Sequence, residues 1–268
     1  MFREEIAYEE MEAKYTKESW EIGFGLQAID GLKPSEYLVE LAEKQIMGKI
    51  SYEEVETSLK QYYEEGAKPG DNMEADFSSM RIAEILADKS FTFSPVTLLG
   101  YHRKLFSGIE TFHYPIGEFR KLNMTKKEPV LDGATVSYTD YGMIKDTLTW
   151  DFEQEKSKDY RGKTREEVAH EVMAFISSIW QIHPFREGNT RTIAVFAIKY
   201  LNTFGFELNN EPFKNHSKYF RDSLALANAD RMNRTNKYLR MFTENALLSG
   251  KNELVIKHIE CENHIKCD

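Results

Sequence analysis

From Arg191 to Phe204 the chain is apolar nearly all the way round a helical wheel, with Ile193, Val195, Phe196, Ile198, Tyr200, Leu201 and Phe204. A helix with no polar face has no side to turn to water, so it belongs at the centre of other elements. The segment before it, from Thr164 towards Gln181, puts Val168, Val172, Phe175, Ile176 and Ile179 on one side. Thr164 with Glu167 three residues on is the pattern of a capped helix start. Strand alternation is scarce, and the 15 Gly and 7 Pro cluster rather than punctuate short strands. The expected class is all-α, a helical bundle around one buried helix. With 41% hydrophobic residues among 268, the chain can bury one substantial core and a smaller appended module.

The expected organisation is an N-terminal extension at 1–16, a small helical module at 17–66, a linker at 67–74, a main domain at 75–247 and a tail at 248–268. In the module, Pro34-Ser35 precedes an amphipathic stretch with Leu38, Leu41, Ala42 and Ile46, closed by Gly48. Ser51 and Glu54 form a second capping pattern ahead of Val55, Leu59 and Tyr62. The run Gly66-Ala67-Lys68-Pro69-Gly70-Asp71-Asn72 is the richest in helix breakers. Helices are expected around 75–88 and 94–106. Between Gly117 and Tyr141 the helical period is lost. There, Pro129-Val130-Leu131 and Ala134-Thr135-Val136 flank Asp132-Gly133. That pattern fits a short β-hairpin, with its first arm at an edge because Pro129 lacks an amide proton, and it fits a simple surface loop equally well.

A net charge of −9 argues against a nucleic-acid partner, which needs a basic face. No stretch approaches the roughly 18–20 apolar residues of a membrane span. The opening Met1-Phe2-Arg3-Glu4-Glu5 lacks the apolar core of a signal peptide. The 2 cysteines, Cys261 and Cys267, suggest no disulfide framework and a reducing cytoplasm. They alternate with His258 and His264 every three residues, which is not a familiar metal-ligand spacing. His102, His113, His170 and His216 read as structural or exposed.

The break between the two long helices is His183-Pro184-Phe185-Arg186-Glu187-Gly188-Asn189-Thr190-Arg191. Gly188-Asn189-Thr190 leads into a helix N-terminus, where free amides and the helix dipole attract anions such as phosphates. Glu187 is a hard oxygen ligand suited to magnesium shared with phosphate oxygens. Arg191 offers a planar fork to phosphate, and Arg186 either touches phosphate or faces water. His183 at the lip can take a proton near neutral pH. Composition alone leaves open a polar helix–helix turn with a structural histidine.

The run His183-Pro184-Phe185-x-Glu187-Gly188-Asn189-x-Arg191 resembles the signature of Fic proteins, His-Pro-Phe-x-(Asp/Glu)-Gly-Asn-Gly-Arg-x-x-Arg. The likeness extends to His102-Arg103-Lys104-Leu105-Phe106, Gly117-x-x-Arg120 and the 120–138 lip upstream, and to Lys218-Tyr219-Phe220 and Asn228 downstream, covering most of 75–247. The resemblance implies a Fic-type helical bundle with a β-hairpin flap. It implies ATP and Mg²⁺, and transfer of AMP to a Ser, Thr or Tyr hydroxyl of a target protein or of the chain itself. It casts His183 as general base, Glu187 as magnesium ligand and Phe185 as the buried anchor of the loop. Arg186, Gly188, Asn189, Thr190 and Arg191 would bind nucleotide phosphates, Tyr219, Phe220 and Asn228 would line the adenine pocket, and Asn123, Met124, Thr125 and Lys126 would position the target.

Two positions depart from the signature: Thr190 replaces the second glycine and Ala194 the final arginine. The 17–66 module resembles the antitoxin-like helices that inhibit many Fic enzymes, with Asp30-Gly31 in place of Glu-Gly and Leu26 in place of the motif's serine. Because the arginine partner expected at 194 is absent, weak or missing autoinhibition is expected. The alternatives are another phosphotransfer (phosphate or another nucleotide), AMP removal, or a catalytically weak Fic-fold binding module.

Overall fold

The computed structural model describes residues 2–206 and 208–256, and among these the regular structure is helical, with no strand. The N-terminal helices are α1 (Phe2–Gln27), α2 (Glu36–Ile46), α3 (Tyr52–Glu64) and α4 (Met73–Ala87). They are followed by α5 (Pro95–Phe106), α6 (Ile144–Ser157), α7 (Arg165–Ile182) and α8 (Asn189–Asn202). The short α9 (Glu211–Asn215), then α10 (Ser217–Ala227) and α11 (Lys237–Leu247), complete the set. No described helix is long and apolar enough to cross a membrane.

Local chemistry sets the helix starts. Glu167 Oε2 accepts from Thr164 N at 2.7 Å while Thr164 Oγ1 accepts from Glu167 N at 3.2 Å, so α7 opens on a reciprocal cap. Ser51 and Glu54 do the same for α3, at 2.7 and 3.2 Å. Ser35, Asn72 and Ser94 each accept an amide two or three residues into α2, α4 and α5. Helix α8 is buried along nearly its whole length, as its all-round apolar pattern demands, and packs against α4, α5 and α7.

Helix α1 crosses the expected 16/17 boundary without a break and lies along α4 and α9. Trp20, Ile22 and Leu26 are buried there. A methyl at Gly23 would overlap the Ser79 carbonyl, and one at Gly25 the Lys214 carbonyl, so both glycines let backbones touch. Helix α6 follows a stretch without a helical expectation. It buries Ile144, Leu148 and Phe152, the last against Phe175 and Phe196.

The β-hairpin flap is not formed. Asp132 and Gly133 do turn the chain, both with positive φ (53° and 84°), but the arms do not pair as strands. Pro129–Leu131 form a single 3₁₀ turn instead. Glu128 N donates to Ala134 O at 2.9 Å, and Glu128 O accepts from Leu131 N and Gly133 N, both at 3.0 Å. A proline without a donor and a tight 3₁₀ turn leave that one cross-link where a ladder would need several. The His258, Cys261, His264 and Cys267 series lies outside the described residues.

Candidate active site

His183 closes α7 in the left-handed region, at φ 52° and ψ 60°. That conformation is uncommon for a residue with a Cβ and persists where its surroundings hold it. Arg120 does so. This buried arginine donates through Nε to His183 O at 2.8 Å, through Nη2 to Ile182 O at 3.3 Å, and through Nη1 to Leu122 O at 2.8 Å. Its Nη2 also donates to Thr139 O. One cation thus caps the C-terminus of α7 and pins both ends of the lip.

The floor of the loop is equally determined. Phe185 is fully buried and stacks on His102 with ring centroids 3.9 Å apart. His102 Nδ1 accepts from Gly117 N at 2.9 Å, which leaves Nε2 as the donor to Glu187 O at 3.0 Å. Burial pushes the His102 pKa down to about 4, keeping the ring neutral. Asn189 Oδ1 accepts from Phe185 N at 2.9 Å and its Nδ2 donates to Phe185 O at 2.8 Å. The asparagine side chain therefore staples the loop. Gly188, at φ 74°, precedes α8 with no side-chain cap on the first amides, and a methyl there would overlap the Phe106 ring.

Above this floor lies a chamber of only about 10 Å³, lined by Asp30, Lys126, Glu128, Trp180, His183, Glu187, Asn189, Thr190 and Arg221. The His183 ring stacks on Tyr138 at 4.2 Å, and both its nitrogens are buried without a partner. Burial, then Lys126, Arg120 and Arg221 nearby, hold its pKa well below the usual histidine value. Trp180 Nε1 donates to Thr190 Oγ1 at 2.9 Å, which leaves the threonine its own proton to give. The Lys126 ammonium sits 3.2 Å from each oxygen of Glu187. Burial raises the Glu187 carboxyl, but Lys126, the Gly188 amide and Arg191 outweigh it and hold it below its ordinary range.

Arg191 is 1% exposed and is held by residues of α1 and α4 and by Asp30 at the chamber's edge. Its Nη2 meets Glu74 Oε1 at 2.5 Å and its Nη1 meets Gln27 Oε1 at 3.1 Å, while the guanidinium covers Phe106. Asp30 Oδ2 lies 2.8 Å from Nε, off the N–H axis, an ion pair rather than a hydrogen bond. Asp30 thus has an arginine partner despite Ala194, which is buried in α8, so the expectation that it would lack one is corrected. Gly31 supplies the left-handed turn (φ 70°) that ends this segment.

The remaining expected residues divide. Arg186 is exposed. Tyr219 and Phe220 pack into the α10–α11 core, Tyr219 donating to Tyr238 O at 3.2 Å and Phe220 stacking on Phe242 at 4.8 Å. Asn228 Nδ2 donates to Ser177 Oγ at 2.8 Å. It lines a separate groove of about 710 Å³ between α7 and α11. Asn123 ties Asp140, Oδ2 accepting at 2.7 Å, while Thr125 is exposed and Met124 half-buried.

Three residues of the chamber were not singled out in the sequence, Glu128, Trp180 and Arg221. Glu128 is 1% exposed. It accepts from Arg221 Nη2 at 2.8 Å and from the Tyr138 hydroxyl at 3.1 Å. Arg221 lies one residue beyond the run singled out on α10, and only the fold shows which way it faces.

Residues 92–201 match the Fic/DOC family, a span that runs from just before α5 through α8 and contains every loop residue described above. No curated protein matches the chain.

Proposed function

We propose, on the premise of the match of residues 92–201 to the Fic/DOC family, that this chain transfers AMP from ATP to a hydroxyl of a protein, with Mg²⁺, in a cytoplasm. The observation that carries the reading is His183. It is a buried, neutral imidazole with both nitrogens free, facing a chamber at the uncapped N-terminus of α8 beside a carboxylate. In the proposed step one ring nitrogen accepts the proton of the target hydroxyl. The oxygen attacks the α-phosphorus, the bond from that phosphorus to the bridging oxygen breaks, and pyrophosphate leaves. In this reading the first amides of α8 and the Thr190 hydroxyl would bind the phosphates.

Among the described residues no group of three or more His, Cys, Asp or Glu could hold a metal. Magnesium needs less, since it takes one or two carboxylates and completes its shell with phosphate oxygens and water. Glu187 fits that part, because a cation, Lys126, already sits symmetrically on its two oxygens. When bound, the ion would neutralise charge on the phosphates. Asn123, Met124, Thr125 and Lys126 are the proposed target-positioning stretch, reading the target largely through its backbone. Tyr219, Phe220 and Asn228 would support the adenine side from behind rather than touch the chamber as it stands. Self-modification of an exposed hydroxyl is part of the same reading.

A second reading, a weak or silent Fic-fold binding module, is favoured by one observation. A chamber of about 10 Å³ is far below the ~300–1,000 Å³ of small-molecule sites. Intact mass after incubation with ATP and Mg²⁺, with and without added candidate targets, separates the two. A gain of one AMP that falls about 10²–10⁴-fold in rate in His183→Ala supports transfer. A gain of one phosphate moves the reading to kinase-like transfer. No gain, with ATP still bound, supports the binding module.

A further inference from the structure

A site for a triphosphate needs cations, and this site has lost its usual supply. Position 194 is alanine. Arg191 is neutralised by Asp30 and Glu74 and faces the α1–α4 side. Among the described residues, the cations that line the chamber are Lys126 and Arg221. Lys126 rides on the lip and covers Glu187. Arg221 is on α10, part of the packed body, and lines the same chamber.

Its present partner is a carboxylate driven inwards. The Asp132–Gly133 turn folds around Glu128, whose own N–H and C=O make the turn's hydrogen bonds, at 2.9 and 3.0 Å. That places a nearly unexposed anion between Arg221 and Tyr138, in the chamber that also holds the unpartnered nitrogens of His183. A carboxylate and a phosphate offer an arginine fork the same two-oxygen face. A carboxylate taken from water needs such a partner to offset its desolvation, and it leaves readily only if another anion replaces it.

We propose that Arg221 is the cation that binds the polyphosphate of the nucleotide in this protein, and that Glu128 occupies its place while the lip is down. The inference rests on the reading that the chamber takes a nucleoside triphosphate. It assigns to α10 the role that the signature places on α8. Entry of the nucleotide then requires Glu128 to swing out and Lys126 to release Glu187, so the lip lifts as one piece about its ends at Arg120.

Calorimetric titration with the Mg²⁺ complex of α,β-methylene-ATP, which cannot transfer AMP, reads binding apart from turnover. Glu128→Gln keeps shape and the tyrosine contact while removing the competing charge, and it should bind about 10-fold tighter than the wild type, in the range of ordinary site coupling. Arg221→Met should lose binding and Arg221→Lys should recover part of it. In the double variant E128Q/R221M most of the gain from Glu128 should vanish, because the proposal has Glu128 act chiefly by occupying Arg221 and only the smaller relief of direct repulsion with the polyphosphate remains. Thermal melts establish that each variant is folded. Equal binding by wild type and E128Q, absence of binding by E128Q, or a gain that survives R221M undiminished overturns the inference. Binding that behaves as expected, without AMP transfer in the mass assay, leaves this inference standing and sinks the transfer reading alone.

Discussion

Two closures converge on the start of α8, and they are built on opposite principles. Asp30 reaches Arg191 from the end of α1, a segment anchored by Trp20, Ile22, Leu26 and Ile29, all buried. At roughly 1.5–3 kcal/mol for each fully buried large apolar side chain, that anchor far exceeds one ion pair. The lip is the reverse. Its residues 121–127 are mostly exposed, and it is held down by Lys126 on Glu187, Glu128 on Arg221 and the tie at Arg120. The partly exposed Lys126–Glu187 pair contributes about 1 kcal/mol or less, and the buried Glu128 carboxylate is released from Arg221 only when another anion takes its place. A closure welded to the core and one latched by charges therefore differ in what can move: the lip opens, and the α1 side stays.

The largest effect should come from breaking the welded side. Gly25→Ala drives a methyl into the Lys214 carbonyl, and backbone cannot step aside as a side chain can. Overpacking there should cost about 3 kcal/mol or more, seen as a lower urea midpoint at unchanged slope. An unaltered midpoint would mean that α1 is not rigidly docked, and the contrast would fall.

Acid tests the floor beneath both closures. His102 has a folded pKa of about 4 against an ordinary 6.5. Between those values the unfolded chain binds a proton that the folded chain refuses, so stability is complete above pH 6.5 and falls as pH drops towards 4. The loss approaches about 3 kcal/mol from this group, with buried His183 adding in the same direction. Urea unfolding at steps between pH 7.5 and 4 should show that slope, flattened in His102→Gln. An equal slope in the variant would assign the acid sensitivity elsewhere.

The smallest effect is the most discriminating. Asp30→Asn leaves Arg191 its Glu74 and Gln27 partners, so stability should fall by less than about 1 kcal/mol. Nucleotide affinity should rise less than in Glu128→Gln. A larger rise would make the N-terminal turn the gate and the lip a bystander, reversing the comparison.

Much of the fold was legible because it is local. Caps at Ser35, Ser51, Thr164 and Ser94, the glycine stop at Gly48 and the apolar wheel of α8 all act over a few residues. The loop His183–Arg191 was legible too, since its residues are consecutive. Asn189 shows the limit of such reading, for its side chain bonds both the N–H and the C=O of Phe185 and so closes the loop, while the residue also lines the chamber.

The sequence by itself determined that the chain is helical, that one helix is buried, and that a histidine, a carboxylate and a glycine stand together at a helix start. Helical period and capping are properties of neighbours, so no distant contact is needed to read them. Only the tertiary structure decided which charges meet. Arg191 turned to Glu74 and Asp30, Arg221 turned to Glu128, and Lys126 settled on Glu187. Each pair joins residues far apart in the chain, and the partner of a charge is chosen by which buried surfaces pack together, something no local pattern records.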